Sequence, residues 1–145
     1  MECIKDREKY GSIKDYNQIS TESGPYQHGK RYCRKSSVSE GLCCVFVPHT
    51  TAGLVIYSGI DPKGLLDLND TVKTMVPVRT DFHHQCDPPS DAAGHIKSAL
   101  FGNSITFIVH ENELVLGGSQ YLYFYEFDGP RERQVLVQVT GTAEE

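Results

Sequence analysis

Residues 42–57, LCCVFVPHTTAGLVIY, decide how this chain folds. LCCVFV (42–47) is an apolar run with β-branched and aromatic members, ended by Pro48, and it reads as a buried strand. Cys43 and Cys44 are neighbours in that run, so they point to opposite faces. His49 follows at the strand's C-terminal end, where a side chain is held at the sheet margin. Leu54-Val55-Ile56-Tyr57 reads as a second short strand.

Working toward the C-terminus, Asp61-Pro62 is a helix start, with a capping carboxylate and proline at the first helical position. Leu65, Leu68, Val72 and Met75 then recur at the spacing of a helix packed on one face, and Pro77 stops it. Residues 78–90 form a polar loop holding His83, His84 and Cys86. Asp91 caps a second helix with Ala92, Ile96, Ala99 and Leu100 as apolar positions and Gly102 as its C-terminal cap. Strands follow at Ile105–His110, Tyr121–Phe127 and Val135–Val139, with turns at Gly117-Gly118 and Asp128-Gly129-Pro130. Strands that outnumber the two main helices point to an α+β fold with a mostly antiparallel sheet.

Toward the N-terminus the pattern fades. Residues 1–40 are polar, with turn signals at Gly24-Pro25, His28-Gly29 and Ser36-Ser37. Ile13, Tyr16 and Ile19 have helix-like spacing over too short a stretch to define a helix. The 145 residues fit one domain, 1–145, with an atypical segment at about 1–40.

A net charge of −5 argues against a nucleic-acid footprint and against an anionic membrane surface. No apolar run is long enough to span a bilayer, and the N-terminus lacks the apolar stretch of a signal peptide. The five cysteines (Cys3, Cys33, Cys43, Cys44 and Cys86) are odd in number and form no CxxC pair. Neither a disulfide framework nor a cysteine-based zinc site is suggested, and the pattern fits reduced thiols in the cytoplasm.

The chemistry lies with three histidines. His49 ends a strand. His95 is one turn into a helix, on the flank of its apolar stripe. His84 lies eleven residues earlier, in the loop feeding that helix. Convergence of the three would make an open site for a divalent metal, since neutral imidazole suits Zn²⁺, Cu²⁺, Ni²⁺ and Fe²⁺; zinc is the expected ion, with the fourth position free for water. Asp91 precedes His95 by four residues on the same helical face. It either caps the helix or accepts the second ring N–H of a ligating histidine. Cys86 is an alternative ligand. Asp67 is either on the exposed flank of the first helix or turned inward as a general base. Arg131 is either part of a solvated charged hairpin with Glu126, Asp128 and Arg133, or a bidentate holder of phosphate or carboxylate. Gln120, after Gly117-Gly118-Ser119, lets backbone and amide approach a ligand closely.

The stretch His49-Thr50-Thr51-Ala52-Gly53-Leu54, followed by Asp61-Pro62 and Asp67, resembles the YjbQ family. So do Asp91…His95-Ile96-Lys97-Ser98-Ala99-Leu100-Phe101-Gly102-Asn103-Ser104, Leu116-Gly117-Gly118-Ser119-Gln120 and Asp128-Gly129-Pro130-Arg131. The resemblance covers about residues 41–141. It implies an α+β sandwich assembled as a homotrimer, with a metal held by His49, His84 and His95 near a subunit boundary and a ligand beside Thr50 and Thr51. It further implies a side activity of thiamine-phosphate-synthase type, joining a phosphorylated hydroxyethylthiazole to a pyrimidine pyrophosphate. Two departures bear on that activity. Tyr57, Ser58 and Gly59 stand where the family has Asn-Glu-Asn. Gly117-Gly118-Ser119-Gln120 replaces Gly-Thr-Trp-Gln in a chain that has no tryptophan. The expected function is metal binding, with a weak thiamine-phosphate-synthase-type activity, as a metal-dependent transferase or hydrolase, on small phosphorylated substrates. The alternatives are a non-catalytic metal or small-anion binding module, or an assembly unit with structural histidines.

Overall fold

Alternation with period two in residues 40–46 builds the centre of a sheet. Cys43 and Val45 are fully buried while Leu42 on the opposite face is exposed. In the computed structural model, which describes residues 10–15, 24–25, 36, 38–61 and 63–142, this segment is one of eight strands. They are β1 (Tyr10–Asp15), β2 (Gly24–Pro25), β3 (Glu40–Phe46), β4 (Ala52–Ser58), β5 (Ser104–His110), β6 (Glu113–Leu114), β7 (Gln120–Glu126) and β8 (Arg133–Thr142). Two helices, α1 (Gly64–Met75) and α2 (Pro89–Phe101), lie between β4 and β5.

The strands form a five-stranded sheet of order β1-β8-β3-β5-β6 and a three-stranded sheet of order β2-β7-β4. Every pairing is antiparallel. The register places Val45 beside Val137 and Ile105, and Leu54 beside Phe124. Cys43, Val45, Phe107, Val109, Val135 and Val137 of the larger sheet meet Leu54, Leu122 and Phe124 of the smaller one in a shared core. The smaller sheet is covered on its other face as well, so Tyr123 and Tyr125 are buried alongside Leu122 and Phe124. Phe101 of α2 stacks on Tyr125, and the Tyr125 hydroxyl donates a hydrogen bond to the Asn69 side chain of α1.

Small residues let α2 approach the strands. Ala93, Gly94 and Ser98 are buried, and the Ser98 hydroxyl donates to the Ala52 carbonyl at 2.7 Å. A Cβ on Gly94 would stand 3.1 Å from the Thr51 methyl and 3.4 Å from Asp128 Cβ. The helix is thereby seated against the end of the strand pair β4–β7, and His95, the next residue, is carried to the same edge.

The α+β class, the antiparallel pairing and the two helices are as the sequence indicates. Some boundaries differ. α2 begins at Pro89, whose ring pre-sets the first helical φ, so Asp91 lies inside the first turn and no side chain caps the helix. Asp61 does accept a hydrogen bond from the Lys63 N–H at 2.9 Å, but the helix itself starts at Gly64. The helix-like spacing at Ile13 falls on a strand, β1, paired with β8. Gly24-Pro25 pairs with β7 at a sheet edge, where proline's missing N–H costs no ladder bond. β6 follows a turn in which Glu111 and Asn112 both have positive φ. Tyr16, Ile19, His28, Cys3 and Cys33 lie outside the described residues. Among the described residues no helix is long and apolar enough to cross a membrane.

Leu54, 1 % exposed between the sheets, tests this core. Leu54→Ala should cost about 2–5 kcal/mol in a denaturant titration, with no change in the slope of the transition.

Candidate metal centre

Two helical positions and one loop position converge. Asp91 and His95 are one turn apart on α2, so their side chains share a face. The loop between the helices folds back over that face, held by Val76 and Phe82 packing on Ala92 and Ala93. His84 is thereby brought to His95, with ring centroids 5.3 Å apart and nearly perpendicular. Asp91 Oδ2 lies 2.8 Å from His95 Nε2 and 3.3 Å from His84 Nε2. One ligand atom from each of the three residues lies within 4.8 Å of the others. The Asp87 carboxylate is a further neighbour, 3.5 Å from His84 Nε2.

The hydrogen bonds around the group determine what it can hold. His95 Nδ1 is 3.0 Å from the Thr50 carbonyl oxygen. A carbonyl only accepts, so Nδ1 carries the proton and a neutral ring presents the Nε2 lone pair to Asp91. Asp91 Oδ2 is buried and has no hydrogen-bond partner, although two imidazole nitrogens are close to it. Proximity here is not hydrogen bonding, because no donor is aligned on the oxygen. Lone pairs from a carboxylate and an imidazole repel at such distances unless a positive charge lies between them. Ligands of one zinc ion with bonds of about 2.1 Å stand up to about 4.2 Å apart, so small side-chain rotations would close these three atoms on one ion. The donor set, two imidazoles and a carboxylate, suits zinc and leaves a position open.

His49 is held differently. Its Nε2 accepts the Gln134 N–H at 2.9 Å, and burial, then the charge of Arg133, push it below the usual 6.5 against an opposing pull from Glu126. His49 is not part of the tight group. Together with Thr50, His95 and Asn103 it lines an open groove of about 380 Å³, which His84 and Asp91 do not line.

The other candidates are dispersed. Thr50 contributes its carbonyl to His95, and the Thr51 hydroxyl accepts from Arg133 Nη2 at 2.7 Å. Arg131 is tied to Asp128, with Nη2 donating to Oδ2 at 2.6 Å, and this bond holds the guanidinium above its ordinary range. Asp67 is exposed on α1, and its carbonyl accepts the Thr71 hydroxyl. The Gln120 side chain folds back to accept the Gly117 N–H at 2.8 Å. It starts β7, and Glu126 ends it about 20 Å away at the strand rise. Ser58 pairs with Gln120 at that far end. His83 and Cys86 are exposed and outside the group.

Sequence reasoning assigned Asp91 to a cap or to support of a histidine; the geometry makes it an equal member of the group. The signal was there, an aspartate four residues before a histidine on one helix. Glu126 and Arg133 were read as part of a charged hairpin, but they are a buried pair, with side chains 1 % and 12 % exposed. The alternation of β7, which turns Glu126 to the same face as Phe124, was the available signal.

The sequence profile described as UPF0047 protein YjbQ-like matches residues 26–142. The chain belongs to the YjbQ family. Among its relatives, UPF0047 protein MJ1081 of Methanocaldococcus jannaschii is 39% identical over 107 residues, 74% of this chain and 75% of that protein. UPF0047 protein YugU of Bacillus subtilis is 32% identical over 112 residues, 76% of this chain and 82% of that one. A solved YjbQ/UPF0047 structure from Clostridium acetobutylicum, described as uncharacterized, superposes with a TM-score of 0.78 at 34% identity. It covers 90% of this chain and 98% of its own. Membership confirms the fold; the names of these YjbQ proteins assign no activity.

A histidine that binds its proton more weakly folded than unfolded contributes stability above the unfolded value, and loses it as pH falls through the folded one. Metal-free His49→Gln protein should therefore lose less stability than wild type between about pH 7 and pH 5, measured as denaturation midpoints.

Proposed function

We propose that this YjbQ protein binds one divalent metal ion, zinc, and acts on a small phosphorylated substrate. The observation that carries the reading is the buried, unpartnered Asp91 Oδ2 with two imidazole nitrogens around it. His84, Asp91 and His95 would hold the ion in this chain. His49, which lines a groove together with His95, would complete the set that the family resemblance implies. The bound ion would polarise a phosphoryl oxygen as a Lewis acid.

The chain's own residues do the rest. Thr50 keeps the His95 proton on Nδ1. Two neutral imidazoles and one carboxylate leave a dication with net positive charge, so the site attracts anions. Arg131 is exposed at the rim and would take a phosphate or pyrophosphate oxygen by exchanging part of its bond to Asp128. A weak thiamine-phosphate-synthase activity, in which the thiazole nitrogen displaces pyrophosphate from the pyrimidine, would fit this arrangement. The protein would work as a cytoplasmic homotrimer, without nucleic acid or membrane.

One observation favours a second reading, binding of metal or anion without turnover. Asp91 is the only carboxylate in the tight group among the described residues, and it would be taken up as a ligand there. Asp67 is exposed on α1 and Ser58 is at the remote end of β4, so neither supplies a general base.

Elemental analysis of the purified protein and zinc titration of the stripped protein test the first reading. One ion per chain is expected, lost in His84→Ala and His95→Ala. Free zinc at a hundred times its dissociation constant should add about 2.7 kcal/mol of stability. Absence of both binding and a melting shift with zinc overturns it. With zinc bound, Arg131→Ala should weaken pyrophosphate binding roughly tenfold, as loss of a charge-assisted contact does. Pyrophosphate binding that survives this change, with no turnover of thiamine precursors, supports the second reading.

A further inference from the structure

The strand end that carries His49, Thr50 and Thr51 rests on a buried ion pair. The Glu126 carboxylate accepts Arg133 Nε on Oε2 at 2.6 Å, and Arg133 Nη2 at 2.7 Å and the Asp128 N–H at 2.9 Å on Oε1. Gly129 leaves room for it, since a Cβ there would come within 2.4 Å of Glu126 Cγ. A buried ion pair brings little net stability, because desolvation cancels most of the attraction. Its geometry, however, is directed. Arg133 Nη2 also donates to Thr51 Oγ1 at 2.7 Å, and the Thr51 carbonyl accepts the Phe127 N–H at 3.0 Å. Thr51 is therefore fixed at both its side chain and its backbone.

We propose that Glu126 and Arg133 are positioning residues for the candidate metal centre, aiming the Thr50 carbonyl that selects the His95 tautomer. The Thr50 C=O and the Thr51 N–H belong to one planar peptide, so an anchored Thr51 fixes the direction in which that carbonyl points. The carbonyl fixes the proton on His95 Nδ1 and leaves Nε2 facing Asp91 and His84. The same pair reaches the site by two other routes. The Asp128 N–H on Glu126 sets the turn whose side chain ties Arg131, and Gln134, next to Arg133, donates to His49. A group hydrogen-bonded directly to a ligating histidine, as the Thr50 carbonyl is to His95, changes metal affinity 10–100-fold when it is lost, and turning that carbonyl away amounts to losing it. The inference rests on the metal reading above only for its affinity arm; the tautomer arm stands without it.

The test uses the full chain with Thr51→Val, Thr51→Ser and Arg133→Lys. Thr51→Val keeps the volume and the ion pair but removes the acceptor. Thr51→Ser restores it. Arg133→Lys keeps a cation beside Glu126 but loses the fork that reaches Thr51. Nitrogen NMR of the imidazoles in metal-free protein should show His95 protonated at Nδ1 in wild type and Thr51→Ser, and a tautomer mixture in the other two. Zinc affinity, measured by competition with a chromogenic chelator, should fall about 10–100-fold in Thr51→Val and Arg133→Lys and return in Thr51→Ser. Should Arg133→Lys not fold, the Thr51 pair decides alone. An unchanged tautomer in Thr51→Val, together with affinity within twofold of wild type, overturns the proposal. A wild-type protein that binds no zinc overturns the metal reading instead, and the tautomer result then decides the positioning role.

Discussion

A helix reaches a strand end only where neither carries bulk, and Gly94 is where α2 does so. With Thr51 and Asp128 packed against that one position, the helix has a single azimuth and depth. His95 follows in the chain and meets the Thr50 carbonyl. Asp91, a turn earlier, faces the same way, and the loop carrying His84 has only to fold onto Ala92 and Ala93 to reach them. The site is thus a by-product of close packing between α2 and the smaller sheet. Its polar contacts are read off a registry that apolar and glycine contacts establish.

That registry also explains how much could be read from residues alone. The runs around Val45, Phe107 and Val137 carry period two and β-branched side chains, so the strands and their antiparallel class were legible. α1 declared itself by its stripe and by Pro77. α2 was placed correctly but started three residues late, because a proline at the first helical position looks like a loop residue in a proline-rich stretch. β6 is two residues long, shorter than any periodicity can show. In the site, the meeting of His84 with His95 was legible from a loop feeding a helix. The ligand-like place of Asp91 was not, because a carboxylate in a first helical turn is ordinarily explained by the helix dipole. The Glu126–Arg133 pair was hidden because two charges beside a turn look solvated until the sheet shows which way Glu126 points.

The distribution of protons ties the two halves of the site together. His49 accepts a backbone N–H, and burial lowers its proton affinity, whereas His95 donates from Nδ1 to a backbone carbonyl. One ring is therefore fixed by a donor and the other by an acceptor, both drawn from strand ends. Side chains on separate elements inherit their tautomers from the main chain, and the main chain at this edge is tied to Glu126 and Arg133.

α1 stands apart from this economy of contacts. Val72 is its one buried residue, and the Tyr125 hydroxyl bonded to Asn69 is its side-chain tether to the smaller sheet. Burial raises that hydroxyl to about 12, so it stays a donor throughout the physiological pH range. The helix is consequently moored by a pin that acidity does not loosen. With one buried residue against five in α2, it is the helix whose amide protons would trade with solvent sooner.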